Sequence, residues 1–298
     1  MEFMRTELYP TTAQANAGTL TVPLGNAGGI QNIDIVVCGT NGAGVSAAGR
    51  SLLKCISMIQ VRSLQGPMSA RGSGPNLWSL AALRSRIQTE DNETTVANAI
   101  RRVRVPLRFT LPGQEDKLGL DCTKYQNQEL VITWDTSVNY PVAADGSVTG
   151  SITIEVQANV TRDRAAPYYV GCVRPSAMVI GKTIAGGPLR LKLGPVPGRV
   201  LVALACELAG YTDGGLITLI SLEWLKTGVK LVDTDWMSLQ QAGMLLDHSV
   251  IANYALALRM SGTQPGENLQ PLPPEDIVAA ITALQVDAVI TELVEAIS

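Results

Sequence analysis

The sequence has very little histidine and phenylalanine. Among its 298 residues there are one histidine, His248, and two phenylalanines, Phe3 and Phe109. A single imidazole excludes the multi-histidine sites of zinc and non-haem iron enzymes. Charged residues are also scarce, at 16%, against roughly 25% in an average soluble protein. The composition is therefore poor in the side chains that carry out catalysis.

The cysteines give no sign of a disulfide framework or a zinc site. They are odd in number and widely spaced, and none stands in a C-x-x-C pair. We expect each to be a small buried hydrophobe. The five are Cys38, Cys55, Cys122, Cys172 and Cys206. Charges near the N-terminus and the lack of a long apolar run indicate neither a signal peptide nor a spanning helix. We expect a soluble protein that is synthesised in the cytoplasm.

The residues that are abundant indicate an all-β protein. The hydrophobic fraction is 46%, with 28 glycines and 16 prolines. Short apolar segments alternate with Gly, Pro, Asn and Ser clusters, which is typical of strands and turns. The clearest alternation runs from Ser151 to Val160. The segments predicted as strands are 20–24, 30–37, 55–61, 103–109, 130–134, 151–160, 189–193, 200–208, 216–224, 250–260 and 286–297.

Only three segments predict helices. Residues 76–87 follow Gly74-Pro75 and place leucines at helical spacing, residues 235–246 open with an acidic N-cap, and residues 274–284 begin Pro-Glu-Asp.

A weak internal repeat divides the chain. The segment from Leu20 to Gly25 matches that from Leu189 to Gly194, and Ile56–Val61 matches Ile217–Leu222. In each half a long apolar strand lies between these two segments. A helix that carries a tryptophan follows the second segment. The same order of these landmarks in both halves predicts a duplicated β-domain. We expect an N-terminal arm at 1–18, a first domain at 19–165, a linker at 166–188 and a second domain at 189–298.

A glycine-rich loop from Gly39 to Gly49 has the G-x-G-x-x-A spacing of dinucleotide-binding proteins. If the loop binds a dinucleotide, the chain is an NAD(P)- or FAD-binding oxidoreductase. The helix that this motif requires would run from Val45 to Lys54, which is short and contains Gly49, and no β–α alternation follows. A flexible β-loop that binds no cofactor fits these residues better.

Other candidates for chemistry are isolated. His248 lies between Asp247 and Ser249 without the spacing of a catalytic triad, and the chain has no G-x-S-x-G motif. Three acidic pairs fit loop solvation and helix capping better than calcium binding, although a structural calcium site stays an alternative. The pairs are Glu115-Asp116, Asp233-x-Asp235 and Glu275-Asp276. We expect no enzyme activity and no cofactor.

Basic residues cluster in one segment, from Arg101 to Arg108. On a strand, Arg102, Arg104 and Arg108 share one face. This face could contact phosphates, lipid headgroups or an acidic neighbour, or could protect an exposed strand from aggregation. The net charge of −3 gives no signature of sequence-specific nucleic-acid binding.

The tandem pattern resembles a known protein family. Each half has an L-x-V/L-x-L-G strand, a strand–glycine-loop–strand pair such as Val200 to Leu225, and a helix bearing a tryptophan. The segment from Arg190 to Leu225 is similar to the start of the second barrel in double jelly-roll major capsid proteins. These come from tailless icosahedral phages with an internal membrane, such as tectiviruses and corticoviruses.

This resemblance implies two tandem jelly-roll barrels with a few short helices in the connections. It implies a structural virion protein that forms homotrimeric, pseudo-hexagonal capsomers of an icosahedral shell. The expected partners are further copies, other capsid proteins at the vertices and the internal membrane. In the resembling proteins the termini lie toward the particle interior, so the arm would reach that membrane and Arg5 would contact its phosphates. Two other non-enzyme functions are a minor vertex or spike protein and a carbohydrate-binding β-sandwich. The few aromatic residues, at 4%, argue against the latter.

Overall fold

The computed structural model describes residues 3–25, 28–40, 51–64, 68–84, 91–92, 96, 98–110, 113–124, 127–136, 152–161, 169–181, 187–192, 199–200, 204–207, 217–224, 228–234, 238, 254–258, 277–283 and 290–297. Regular structure in these residues is mostly β-strand, with two short helices. No helix in this part of the chain has the length and apolar content to cross a bilayer.

The chain divides into two compact units. Unit 1 comprises Met1–Ala81 and Thr89–Pro175, and unit 2 comprises Ala82–Gln88 and Ser176–Ser298. The strands of unit 1 are β1 (Phe3–Ala13), β2 (Ala17–Pro23), β3 (Gly29–Thr40), β4 (Ile56–Arg62), β5 (Ala70–Gly72), β6 (Asp91–Asn92), β7 (Ile100–Arg108), β8 (Leu120–Asp121), β9 (Glu129–Asp135) and β10 (Thr153–Thr161). The helices are α1 (Ser51–Lys54) and α2 (Gly74–Arg84).

Unit 1 contains two antiparallel sheets. The first sheet has the strand order β1-β10-β3-β7-β6, with β8 also paired to β3, and the second sheet has the order β5-β4-β9-β2. With the two-residue strands β6 and β8 set aside, eight strands remain. The first pairs with the eighth, the second with the seventh, the third with the sixth and the fourth with the fifth. This nested pairing of eight strands in two sheets is a jelly roll.

The inward faces of both sheets form the core. In the first sheet, Val156, Ile35 and Val105 lie in one cross-strand row and are buried. In the second sheet, Ile132 and Ile59 are paired and buried in the same way. Alternation along each strand puts apolar side chains inside the sandwich and polar ones outside. The alternation predicted for 151–160 is confirmed by β10, whose burial alternates residue by residue.

Unit 2 repeats the nested order. Its strands are β11 (Val173–Gly181, which begins in unit 1), β12 (Gly187–Lys192), β13 (Arg199–Val200), β14 (Leu204–Glu207), β15 (Ile217–Trp224), β16 (Val229–Thr234), β17 (Tyr254–Leu258), β18 (Ile277–Ala283) and β19 (Ile290–Ile297). One sheet has the order β12-β18-β15-β16. In another sheet, β13 and β11 lie on either side of β19. Strand β14 pairs with β17 and also lies against β19. The nested pairs are therefore β11–β19, β12–β18, β14–β17 and β15–β16.

The sequence repeat corresponds to equivalent strands. Leu20 and Leu189 lie in β2 and β12, each of which is the second strand of its nested set. Ile56 and Ile217 begin β4 and β15, each of which is the fourth. The prediction of two tandem jelly rolls is confirmed, and it accounts for the order of the landmarks. Helix α2 confirms the start of the helix predicted at 76–87, whereas the helix predicted at 235–246 lies largely outside the described residues.

Three sequence predictions are wrong. Residues 3–13, predicted as part of an unpartnered arm, form β1, which pairs with β10 along its length apart from two bulges. The predicted linker contains β11. The helix predicted at 274–284 is instead β18, which pairs with β12 on one side and β15 on the other. Its β-branched Ile277, Val278 and Ile281 favour a strand, and two hydrogen-bonded neighbours outweigh the helix-like Pro-Glu-Asp start.

Candidate functional site

The four arginines singled out in the sequence lie on one surface. Residues directly opposite each other in antiparallel strands point to the same side of the sheet. Arg108 pairs with Asn32, Asn32 pairs with Asn159, and Asn159 pairs with Arg5. Arg102 and Arg104 follow at alternate positions of β7, so they share the side of Arg108. The structure thus places all four on the outward face of the first sheet.

Acidic residues occupy the same surface. Asp34 lies in the row that contains Gln157 and Glu7, and Glu155 lies in the row of Val36 and Arg104. We call this surface the charged face; its charged members are Arg5, Glu7, Asp34, Arg102, Arg104, Arg108 and Glu155. Neighbouring strands are about 4.8 Å apart, so the opposite charges lie within one to three strand spacings of each other.

The β1 side of the charged face is cross-linked by polar contacts. Arg5 Nη2 lies 3.5 Å from the Oδ2 of Asp34, and Arg5 Nε donates a hydrogen bond to Gln157. Thr11 donates to Glu155 Oε2 at 3.2 Å. These contacts run from β1 to β10 and β3. The residue predicted for membrane contact, Arg5, therefore has partners within its own sheet.

The centre of the charged face is partly closed to water. Val36, although it points outward, is 2% exposed, because the long side chains of Glu155 and Arg104 stand on either side of it in register. One row further, Cys38 lies between Thr153 and Arg102. Burial raises the pKa of the Cys38 thiol, and the hydrogen bond from its Thr153 neighbour and the charge of Arg102 oppose that rise.

The outward face of the second sheet differs in character. Thr19 and Thr133 are paired and their hydroxyls lie 3.2 Å apart. In the next row Thr21 lies opposite Val131, which lies opposite Gln60. The ion pair on this face joins Arg62 Nε to Glu129 Oε1 at 2.6 Å. The threonine and glutamine side chains thus give this surface uncharged polar groups beside its ion pair.

The glycine-rich loop lacks the surroundings that a dinucleotide site requires. Strand β3, which ends at Thr40, is antiparallel to both of its long neighbours, and β4 belongs to the other sheet. A dinucleotide site needs two parallel strands of one sheet joined through a helix. Residues 41–50, the main part of the loop, lie outside the described residues.

Most of the remaining candidates lie outside the part of the chain that the structure describes. Glu115 and Asp116 are exposed in a turn in which the amides of Lys117 and Leu118 donate to the Gln114 carbonyl. His248, Asp235, Glu275 and Asp276 lie outside the described residues. Within the described ranges, no group of three or more His, Cys, Asp or Glu side chains is arranged to hold a metal ion.

Sequence reasoning missed the acidic half of the charged face. Asp34 and Glu155 come from segments about 120 residues apart, and only strand pairing shows that they are neighbours. The available signal was their polar position in otherwise apolar alternating strands. The burial of Arg101 was also not predicted. This arginine is 1% exposed, because its position in β7 points inward.

Comparison with solved structures identifies similar folds. The crystal structure of the STIV MCP superimposes with a TM-score of 0.73 at 13% identity, covering 99% of this chain and 96% of that one. The crystal structure of PBCV-1 VP54 gives a TM-score of 0.67 at 11% identity, with coverages of 99% and 94%. The major capsid protein P2 from bacteriophage PM2 gives 0.62 at 12% identity, with coverages of 99% and 98%. No protein-family model and no curated protein matches the sequence.

Proposed function

We propose that this chain is the major capsid protein of an icosahedral virus, with a structural function and no catalytic one. The observation that carries this is the presence, in one chain, of two jelly rolls with the same nested pairing order. The similar structures over nearly the whole chain include VP54 of PBCV-1 and P2, a phage major capsid protein. These structural similarities support the proposal because the shared property is the fold.

The tandem arrangement has a geometrical consequence. A closed ring of three chains, each with two equivalent barrels, presents six similar barrels around its axis. Such a ring fits a hexagonal lattice, so we infer a homotrimeric capsomer located in the virion shell. Other capsid proteins at the vertices, and an internal membrane beneath the shell, are further partners in this proposal.

The mass of the assembled protein tests the trimer. Native mass spectrometry of the purified chain should give about three times 31.6 kDa or a larger shell. In purified virions the chain should be the most abundant protein, which distinguishes a major shell protein from a vertex or spike protein. A chain that stays monomeric at high concentration would contradict the capsomer.

The absence of cofactor binding is tested separately. Adding NAD(P) or FAD should leave the melting temperature unchanged. A ligand present at a hundredfold excess over its dissociation constant would stabilise the protein by roughly 2.7 kcal/mol. A reproducible rise in melting temperature would restore the oxidoreductase alternative.

A further inference from the structure

Unit 1 contains a buried arginine, Arg174, at the start of β11. Its side chain is 8% exposed. Its Nε and Nη1 atoms are buried, and neither has a hydrogen-bond acceptor in the part of the chain that the structure describes. Buried polar groups are almost always hydrogen-bonded, and an arginine keeps its charge in a folded protein. The surroundings of Arg174 therefore have to supply a negative group.

The described residues beside Arg174 supply none. Val173 is apolar, and its amide donates to the Phe109 carbonyl at 3.0 Å. Burial raises the pKa of the Cys172 thiol, and the charge of Arg174 opposes this rise without cancelling it. The thiol therefore stays protonated, and it donates to the carbonyl of Val173 at 3.3 Å. Within the described ranges, no carboxylate forms an ion pair with Arg174.

The other deeply buried arginine, Arg101, is placed differently. It is 1% exposed, and its charge and that of Asp135 both act on the Cys55 thiol. A carboxylate thus lies in the same part of the core as Arg101. Of the two buried arginines, Arg174 is the one that needs a negative group from outside its own unit's described residues.

The chemistry of the guanidinium and its burial define the class of that group. An unpaired charge in a protein interior costs a large fraction of the free energy of unfolding of an ordinary domain. The N–H groups of arginine match the spacing of oxygens in phosphate-like anions, which gives two parallel charge-assisted hydrogen bonds. Because more than nine-tenths of the Arg174 side chain is enclosed within one chain, a small anion fits this position better than the surface of another macromolecule.

We propose that Arg174 binds a small inorganic oxyanion, of the phosphate or sulfate class, inside unit 1. The ion neutralises the guanidinium and accepts its hydrogen bonds, and it thereby stabilises the start of β11. We call this position the Arg174 site. The site is independent of the proposed capsid function, because an internal ion stabilises the fold whatever the fold is used for.

Unfolding in the presence of phosphate tests the Arg174 site. The full chain is unfolded with urea at one protein concentration, in buffers in which sodium phosphate replaces sodium chloride at constant ionic strength. Between zero and about 10 mM phosphate, the equilibrium constant for unfolding of the wild type should fall at least about tenfold. Arg174→Met, which removes the charge and keeps an apolar chain, should lose this response. Arg71→Met, at an exposed arginine of β5, is the matched control and should respond as the wild type does.

Equilibrium dialysis against labelled phosphate measures the bound ion itself. The wild type and Arg71→Met should approach about one ion per chain, and Arg174→Met should bind none at this position. Arg174→Lys keeps the charge but lacks the planar set of donors, so its affinity for phosphate should fall at least about threefold. This variant carries the test if Arg174→Met does not fold.

Three results would overturn the Arg174 site. Equal responses of the wild type and Arg174→Met would mean that phosphate acts through its general exclusion from protein surfaces. A wild type that does not respond, with Arg174→Met less stable in every buffer, would show that the guanidinium is paired within the chain. Normal phosphate binding in Arg174→Met combined with a loss of trimers would assign Arg174 to a carboxylate of a second copy.

Discussion

Gly18 and Trp134 lie face to face across two strands of the second sheet. They are paired in register between β2 and β9, and a Cβ atom on Gly18 would lie 2.9 Å from Cζ2 of the indole. Trp134 is 3% exposed, and its Nε1 donates to the carbonyl of Ala15 at 2.9 Å. The indole thus occupies the space that a side chain at Gly18 would need, and it also holds the turn between β1 and β2.

Enlarging Gly18 should therefore destabilise unit 1. We expect Gly18→Val to lower the free energy of unfolding by about 1–3 kcal/mol, because the ring is fixed by its hydrogen bond and its burial. Ala17→Val, one residue earlier and exposed, is the matched control and should change stability little. Urea unfolding followed by tryptophan fluorescence measures both. Equal effects would show that the indole can move aside.

Tyr169 offers a prediction of the opposite sign. Its hydroxyl is buried and has no hydrogen-bond partner in the described part of the chain, and burial raises its pKa. Tyr169→Phe removes this polar group and should stabilise the protein by about 1 kcal/mol. The control is Tyr9→Phe, which removes the acceptor of a 3.1 Å bond from Gln14 and should not stabilise. Thermal unfolding of both variants tests this; a loss of stability in Tyr169→Phe would contradict it.

Three buried thiols predict a loss of stability at alkaline pH. Burial is the main cause that raises the pKa of Cys55, Cys122 and Cys172 from 9.0 to about 12. Between these values the unfolded chain has lost these protons and the folded chain retains them, so the folded state loses stability as the pH rises above 9. Each thiol contributes at most roughly 1.4 kcal/mol per pH unit.

Melting temperatures across this range provide the measurement. The wild type should become less stable from about pH 9 upward, and Cys55→Ala should show a shallower decrease, whatever its stability at neutral pH. Lysine and tyrosine titration is the same in both proteins, so the difference in slope isolates the thiol. Parallel curves would mean that Cys55 ionises in the folded protein as readily as in the unfolded one.

The first strand should be indispensable. Because β1 pairs with β10 from Phe3 to Ala13, deleting residues 1–13 leaves an edge of β10 without its neighbour. We expect the deletion to yield insoluble or unfolded protein, and limited proteolysis of the wild type to spare this segment. The paired substitution Arg5→Gln with Glu7→Gln tests the same strand without removing it, and it should fold. A soluble, cooperatively folding deletion variant would instead support the predicted arm outside the first domain.

The sequence predicted best the strands whose apolar residues alternate clearly or recur in the same order in both halves. Strand β10 and the equivalent pairs β2–β12 and β4–β15 follow from residue pattern and order, and these suffice for two tandem jelly rolls. The first strand of each barrel was missed. Strand β1 contains Pro10 and strand β11 contains Pro175, and both are interrupted by polar residues. Such strands form because a long neighbour offers them hydrogen bonds, which no local pattern records.

The charged face was predictable only in part. Alternation alone puts three arginines of β7 on one side. Their acidic neighbours come from strands that are distant in the chain, and the register that brings Asp34 and Glu155 beside them depends on pairing. Arg101 shows the limit in the opposite direction: a charged residue in a strand predicts exposure, and here the inward direction of its position in β7 buries it.

The nested pairing also sets an order in time. The innermost strands, β4 and β5, are separated by seven residues, whereas β1 must wait for β10, about 150 residues later. At synthesis rates of about 5–20 residues per second, β1 leaves the ribosome roughly 8–30 s before its partner exists. We therefore expect unit 1 to close from the centre of the nested set outward. During that interval β1 has no partner in its own chain and can pair with β10 of a neighbouring nascent chain. Such mispairing should increase with the density of ribosomes on the message.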